Sequence, residues 1–324
     1  MTILITGGCG FIGRNLTESL LIEGYDTKVI CKSIHDRLSG KVKYVQGDVT
    51  NKDFTYSCFN KDIDTVIHLA GTIGGTASLF NSLSGTSEFI EANFESTKYV
   101  IEGARKSDSR IIFSSSEEVY GKNSVLPWKE NYDRVYGTSE NRRWIFATCK
   151  SLSEHLLFSA YETYNIRTVI LRLSNIYGRF QKPYLVIPRM ITSLLNSKKI
   201  QIYGDGLSKR SFTYIDDAIE AITGLLKHET IRTDVFNIGS DEEVTVEELA
   251  KEIISLIGSH DLIIEHINPQ NTIRTQYEDL QRKIMDNSKI FKTIGWKAKT
   301  SLHDGLNETI FWYRSNESWW RTYL

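Results

Sequence analysis

The sequence contains little proline, little cysteine and no long hydrophobic run, and each scarcity excludes a class of protein. Four prolines among 324 residues, and no low-complexity tract, leave little room for linkers. The four cysteines, at 9, 31, 58 and 149, are scattered and lack C-x-x-C spacing. This pattern argues against a disulfide framework and a zinc site, and it fits a reducing cytoplasm. We therefore expect no metal site.

An excess of charge of one sign is also missing. The chain has 39 Lys and Arg against 40 Asp and Glu, so no basic surface predicts a nucleic-acid partner. No apolar run approaches the roughly 20 residues that a membrane span needs. Because the first predicted strand begins at residue 2, we expect no signal peptide and a cytoplasmic location away from membranes. The length suits one large α/β domain with an appended lobe, or two domains.

The first strand runs into a glycine-rich turn. Thr2–Thr6 is an apolar run of strand length, glycines follow at 7, 8, 10 and 13, and a helical pattern comes next. The spacing G-x-G-x-x-G between a strand and a helix is typical of a dinucleotide-binding loop. Its glycines permit a tight turn, close approach of backbone to a pyrophosphate, and tight packing of helix on strand. The other interpretation is an ordinary glycine-rich β–α turn.

The end of the second predicted strand, at 26–30, lacks a carboxylate. A dinucleotide fold usually places Asp or Glu there to bind the adenosine ribose, but Cys31 and Lys32 follow instead. Lys32 can meet the 2′-phosphate of NADP. In the other interpretation it is solvated, and NAD is held mainly through its pyrophosphate. Asp48 follows the strand at 42–45, where it can accept a hydrogen bond from the adenine amino group or cap the next helix.

The remaining pattern alternates buried-type strands with amphipathic helices, which predicts an α/β fold with a doubly wound parallel (Rossmann) sheet. The predicted strands lie at 65–71, 110–116 and 168–173, the predicted helices at 89–106 and 147–164, and a Gly-, Ser- and Thr-rich loop at 72–88. After residue 178 the elements become shorter, which indicates a second, smaller substrate-binding lobe. We predict a dinucleotide-binding domain over 1–178, completed by returning segments near 210–240, and an interleaved lobe over 179–324.

Several motifs, in order along nearly the whole chain, resemble one known family. They are Thr6–Gly13, Gly47–Val49, His68–Gly71, Ser114–Ser116 with Val119–Gly121, Leu171–Gly178, Gly204–Gly206, Arg210–Asp217 and Ile294–Trp296. The chain resembles an extended short-chain dehydrogenase/reductase of the nucleotide-sugar epimerase, dehydratase and decarboxylase group. The resemblance implies bound NAD or NADP, a nucleotide diphosphate sugar as partner, and a homodimer formed through the helices at 89–106 and 147–164.

The resemblance also implies the cofactor contacts. These fall on Gly7, Gly10, Phe11, Ile12, Gly13, Lys32, Asp48, Val49, Leu69, Ala70, Gly71 and Lys150.

The family's redox step uses a Y-x-x-x-K motif, in which the tyrosine takes the proton of the sugar 4-hydroxyl and the lysine lowers its pKa. Ser116 and Lys150 match the family's serine and lysine, but Phe146 stands at the tyrosine position. Phenylalanine has no oxygen, and loss of a positioned acid–base group slows a reaction roughly 10²–10⁴-fold. Three interpretations stay open: an engineered Tyr-to-Phe variant, a natural substitution with another base, or a non-catalytic binding protein.

Glu117 and Glu118 bear on the chemistry that follows the 4-keto intermediate. The family's 4,6-dehydratases have Asp-Glu at this point, where one carboxylate removes the C5 proton and the other helps the 6-hydroxyl leave. Its uronate decarboxylases have Ser-Glu, and an Arg-Trp-Ile-Tyr run that Arg143–Phe146 resembles. Adjacent carboxylates repel each other, which favours one being protonated near neutral pH. We therefore predict a dehydratase first, with a decarboxylase or an epimerase as the alternative. In the purely structural alternative, Glu117 or Glu118 caps a local turn.

Asn175, Arg210 and Arg282 resemble the residues that contact the diphosphate in relatives. The arginine fork suits paired phosphate oxygens. The other interpretation of each arginine is a surface ion pair.

Overall fold

The computed structural model describes residues 1–33, 42–72, 87–258, 263–268 and 278–324. Its strands, in chain order, are β1 (Thr2–Thr6), β2 (Asp26–Cys31), β3 (Val42–Gln46), β4 (Ile63–His68), β5 (Arg110–Ser116), β6 (Thr168–Leu173), β7 (Asn175–Tyr177), β8 (Lys199–Tyr203), β9 (Lys209–Tyr214), β10 (Thr233–Ile238), β11 (Glu243–Thr245), β12 (Ile263–Ile267) and β13 (Arg282–Lys283).

The helices of the described residues alternate with the strands of the first half. They are α1 (Phe11–Ile22), α2 (Lys52–Ser57), α3 (Ser87–Ile90), α4 (Ser96–Ser107), α5 (Ile145–Tyr164), α6 (Val186–Ser197), α7 (Ile215–Lys227), α8 (Val246–Ile257), α9 (Ser288–Ile294), α10 (Leu302–Ser315) and α11 (Glu317–Arg321). A π-helical turn, Glu91–Glu95, joins α3 to α4, and short 3₁₀ turns, Glu117–Tyr120 and Arg142–Trp144, follow β5 and precede α5.

The main sheet is parallel throughout, in the order β10-β6-β5-β4-β1-β2-β3. Its central strands are apolar and buried because helices cover both faces. The strand order reverses between β1 and β4, so a crevice opens at the carboxyl ends of these strands, where ligands bind in such sheets. The predicted doubly wound α/β fold is confirmed.

A smaller set of strands lies beside the main sheet. Strands β11, β9 and β13 run side by side, and β7 pairs with β9; β8 pairs with β12. The chain leaves the main sheet at β7 and returns to it at β10, so segments after residue 178 contribute to both sheets. The division into domains at 178/179 stays a prediction. Most of the predicted loop at 72–88 lies outside the described residues.

Two negative findings apply to the ranges that the structure describes. No helix there combines the length and the apolar character that crossing a bilayer requires. Nor does any group of three or more His, Cys, Asp or Glu side chains lie together in a way that would hold a metal ion.

A buried ion-pair network fixes α5 against the main sheet. The Glu154 side chain is fully buried, and its Oε2 lies 2.6 Å from Arg134 Nη2 and 2.7 Å from Arg172 Nη2. Ser115 of β5 also donates a hydrogen bond to this carboxylate. Because Lys150 lies one helical turn before Glu154, the network also sets the position of Lys150.

Glu154→Ala is expected to lower the free energy of unfolding by about 3–5 kcal/mol, because it leaves Arg134 and Arg172 without their buried carboxylate. Glu162→Ala, on the exposed end of the same helix, is the matched control and should change it by less than about 0.5 kcal/mol. Urea denaturation measures both. Equal losses for the two variants would contradict the role given to Glu154.

Candidate active site

The glycine-rich turn after β1 is shaped to receive a pyrophosphate. Gly7 adopts φ +72°, and a Cβ built on Gly13 would lie 2.3 Å from the Gly7 carbonyl oxygen, so α1 packs against the turn itself. Gly10 is the N-cap of α1, and no side chain of the described residues caps the helix. The amide groups at Phe11 and Ile12 therefore face the crevice as donors for phosphate oxygens. The residues fit the phosphates of a dinucleotide.

The cysteine at the end of β2 forms a disulfide, which was not predicted from the sequence. Cys9, in the glycine-rich turn, and Cys31, the last residue of β2, form a disulfide with a Cα–Cα distance of 5.8 Å. The expectation that the scattered cysteines form no disulfide is wrong for this pair. Neighbouring parallel strands bring the two residues to the same sheet edge, which their 22-residue separation in sequence does not reveal. Cys58 and Cys149 are free and buried.

Lys32 and Asp48 interact with each other at the same edge. Lys32 Nζ lies 2.7 Å from Asp48 Oδ2. Partial burial acts to raise the pKa of Asp48, but hydrogen bonds from Lys32 and from the Thr50 amide lower it below its usual value. Asn51, rather than Asp48, caps α2. The 2′-phosphate of NADP would need the positive charge of Lys32, and the ion pair with Asp48 offsets that charge. This pairing favours NAD over NADP at this edge. Val49 is buried beside it.

The exit of β4 brings backbone close to the glycine-rich turn. The Leu69 amide donates to the Thr6 carbonyl at 3.1 Å, and the Ala70 amide donates to Thr6 Oγ1 at 3.3 Å. A Cβ built on Gly71 would lie 3.7 Å from Lys150 Nζ. Leu69, Ala70 and Gly71 therefore line the crevice between the turn and the lysine of α5.

The residues predicted for the redox step lie close together, although Phe146 has no phenolic oxygen. Lys150 is buried, its Nζ donates to the Ser114 carbonyl at 2.8 Å, and burial lowers the pKa of Lys150 to about 8. The Phe146 ring centroid lies 5.8 Å from Lys150 Nζ. Ser116, at the end of β5, accepts a hydrogen bond from the Glu118 amide at 3.2 Å. The geometry thus places Ser116, Phe146 and Lys150 around one end of β5.

Glu117 is buried with one carboxyl oxygen unsatisfied. Asn175 Nδ2 donates to Glu117 Oε1 at 3.0 Å, while Oε2 has no hydrogen-bond partner among the described residues. Burial raises the pKa of Glu117, and the nearby charges of Lys283 and Arg210 offset this only in part. A carboxyl in this setting holds its proton at a higher pH than an exposed one does.

Glu118 lies between two buried cations. Its Oε1 is 2.5 Å from Lys283 Nζ, and its Oε2 is 2.6 Å from Arg143 Nη2. Burial acts to raise the pKa of Glu118, but the charges and hydrogen bonds of Arg143 and Lys283 lower it to about 2. Glu117 and Glu118, adjacent in sequence, are therefore pushed towards opposite protonation states.

Arg143 and Lys283 were not among the residues predicted from sequence. Two signals point to them: Arg143 lies three residues before Phe146 at the start of α5, and Lys283 is the inward neighbour of Arg282 on β13. Arg282 itself is exposed and pairs with Glu243, so the structure does not bring it to the carboxylates. Its predicted contact with a diphosphate stays a prediction.

Asn175 and Arg210 lie at the Glu117 side of the site. Asn175 begins β7, and Arg210 belongs to β9 of the neighbouring sheet. Arg210 is buried, with its Nη2 2.7 Å from Asp279 Oδ2. The smaller sheet therefore supplies the polar groups that face the carboxyl ends of the main strands.

Known proteins resemble the chain over nearly its full length. The model of the NAD-dependent epimerase/dehydratase family matches residues 3–239. A UDP-N-acetyl-alpha-D-glucosaminuronate decarboxylase from Bacillus cytotoxicus is 33% identical, over 97% of this chain and 98% of that protein. A human dTDP-D-glucose 4,6-dehydratase is 31% identical, over 98% and 91%.

A solved structure adds a third activity. A Tyr-to-Phe mutant of UDP-glucuronic acid 4-epimerase from Bacillus cereus, in complex with NAD and a fluorinated UDP-glucuronic acid, is 25% identical with a TM-score of 0.84. The similarity covers 97% of this chain and 99% of that one. The chain belongs to the NAD-dependent epimerase/dehydratase family, among relatives that modify nucleotide sugars.

Proposed function

We propose that this chain is a nucleotide-sugar 4,6-dehydratase, one that oxidises C4 of a nucleotide diphosphate hexose and eliminates water across C5 and C6, with turnover limited by Phe146. The division of charge between Glu117 and Glu118 carries the proposal. Burial raises the pKa of Glu117, whereas, against the effect of burial, Arg143 and Lys283 lower the pKa of Glu118 to about 2. An elimination needs one protonated and one ionised carboxyl group at a single sugar.

The side chains divide the work as follows. The glycine-rich turn would hold NAD, whose nicotinamide would supply a hydride acceptor for C4 and a hydride donor for C6 of the sugar. Ser116 Oγ already accepts a hydrogen bond from the Glu118 amide, so its hydroxyl hydrogen stays available to the sugar 4-oxygen. The Glu118 carboxylate takes the C5 proton, which the C4 ketone acidifies, and returns it to C5 when C6 receives a hydride. Glu117 gives its proton to the 6-hydroxyl as the C6–O bond breaks and water leaves.

Phe146 removes the proton acceptor for the 4-hydroxyl. The groups around it are retained, since Lys150 keeps its contact with Ser114 and lies beside the Phe146 ring. A single missing oxygen therefore separates this site from a complete one. Both an engineered variant and a natural substitution are consistent with that arrangement.

Phe146→Tyr is expected to raise the rate of nucleotide-sugar conversion roughly 10²–10⁴-fold, because it restores a positioned acid–base group. The affinity for the nucleotide sugar should hardly change. Liquid chromatography with mass spectrometry on a panel of nucleotide diphosphate hexoses and hexuronates, with NAD present, measures the conversion. Calorimetry measures binding, and Phe146→Leu is the matched control that restores no oxygen.

The outcomes separate the candidate functions. A product that has lost water supports the dehydratase. A product that has lost carbon dioxide supports a decarboxylase instead. Binding of nucleotide sugar without conversion by Phe146→Tyr assigns the chain to a non-catalytic binding protein, and failure to bind any panel member contradicts the whole proposal.

A uronate decarboxylase is the second candidate because of the cations on Glu118. Arg143 and Lys283 bring two buried positive charges against one ionised carboxylate, and Arg143 Nε and Nη1 have no acceptor among the described residues. A sugar carboxylate at C6 would supply the missing acceptor. The same cations also weaken Glu118 as a base, since a carboxylate with so low a pKa takes a proton from carbon poorly.

Lys283→Met separates the two candidates by binding alone. If a substrate carboxylate meets Lys283, the variant should bind a nucleotide hexuronate roughly 10–100-fold more weakly and a neutral nucleotide hexose unchanged, because one charge-assisted hydrogen bond is lost. Calorimetry on the Phe146 protein measures both ligands without turnover. The control is Arg282→Met on the adjacent residue, which should weaken both ligands alike if Arg282 contacts the diphosphate. Equal effects of Lys283→Met on both sugars would contradict the decarboxylase.

A further inference from the structure

Two sulfur atoms lie in the part of the crevice where a dinucleotide binds. Cys9 stands between Gly8 and Gly10 in the glycine-rich turn, and Cys31 ends β2 on the neighbouring strand. Their disulfide joins the loop that faces the phosphates to the strand end that faces the adenosine ribose. Neither the catalytic carboxylates nor Phe146 and Lys150 make use of it.

The disulfide occupies the position at which this fold usually binds the ribose. An acidic residue at the end of the second strand ordinarily accepts hydrogen bonds from the ribose hydroxyls. Here Cys31 holds that position, and its sulfur is bonded to Cys9. A disulfide donates no hydrogen bond and accepts only weakly, so ribose hydroxyls placed against it lose bonds that they make in water.

The two sulfurs differ in access. Cys9 is half-buried, whereas Cys31 is only 5% exposed, so an incoming thiolate reaches Cys9 first. The remaining cysteines do not compete well. Burial raises the pKa values of Cys58 and Cys149, which lowers the thiolate fraction that thiol exchange requires.

We propose that Cys9 and Cys31 are a reversible thiol–disulfide pair that sets dinucleotide affinity, with the reduced pair binding NAD more tightly than the disulfide. The reaction partner is a small-molecule thiol such as glutathione. In reduction, a thiolate attacks the Cys9 sulfur, the bond to Cys31 breaks, and Cys31 leaves as a thiolate that takes a proton. A second thiolate attacks the mixed disulfide, which releases Cys9 and one molecule of oxidised thiol.

The direction follows from what each state offers the ribose. In the reduced state no bond holds the turn to β2, and each sulfur carries a thiol hydrogen as a weak donor. In the oxidised state the bridge holds the turn to the strand and leaves neither sulfur a donor. One hydrogen bond not made corresponds to about fivefold in affinity.

The experiment measures NAD binding at two redox states. The protein is equilibrated with reduced or oxidised glutathione, and calorimetry gives the dissociation constant for NAD and for ADP-ribose, which carries only the adenosine and diphosphate end plus one ribose. Non-reducing peptide mapping by mass spectrometry reports whether 9 and 31 are joined. The variants are Cys9→Ser and Cys31→Ser, with Cys58→Ser/Cys149→Ser as the matched control.

We expect oxidation to weaken binding of both ligands about fivefold or more, and reduction to restore it. The response should vanish in Cys9→Ser and in Cys31→Ser and persist in the control. Because Cys9 is half-buried in a turn, Cys9→Ser keeps the test decisive if Cys31→Ser folds poorly. Equal or tighter binding by the oxidised protein overturns the proposal, as does the absence of a 9–31 crosslink or a response that persists without Cys9. Binding is read without turnover, so the result does not depend on the reaction proposed above.

Discussion

The carboxylate of Glu118 is the group on which the site depends. It pairs with Arg143, in the 3₁₀ turn before α5, and with Lys283 of β13. These ion pairs join both segments to the turn after β5. These three segments are far apart in sequence. Leaving any of these buried charges without a partner costs several kcal/mol, so the fold keeps them together. The ion pairs of Glu118 therefore hold the segments of the site together and also influence the protonation of its carboxyl groups.

A second set of buried charges positions the helix that carries Phe146 and Lys150. Glu154 ties α5 to the main sheet through Arg172 of β6 and Ser115 of β5, and Lys150 lies one turn earlier on the same helix. The network thus fixes the positions of Phe146 and Lys150 on α5. A tyrosine at 146 would add one oxygen to this supported helix, which makes Phe146→Tyr an informative experiment.

The fold could be predicted from the sequence because its signals are local. Strands β5 and β6 have the bounds that their apolar patterns indicate, and the glycine spacing at 8, 10 and 13 marks the turn between β1 and α1. The site could be predicted only where a motif carried it. The place of Lys283 in the site and the Cys9–Cys31 disulfide depend on contacts between segments that no local pattern connects. The outward direction of Arg282 depends on the register of β13 against β9.

Infrared spectroscopy of the carboxyl groups tests the central claim, that Glu117 and Glu118 hold opposite protonation states in one site. With ¹³C-labelled glutamate at neutral pH, the account predicts a protonated-carboxyl band whose intensity falls in Glu117→Gln. The pKa of Glu117 is raised by burial, and that of Glu118 is lowered, against the effect of burial, to about 2 by Arg143 and Lys283. Absence of the band, or a band that is unchanged in Glu117→Gln, would contradict the account.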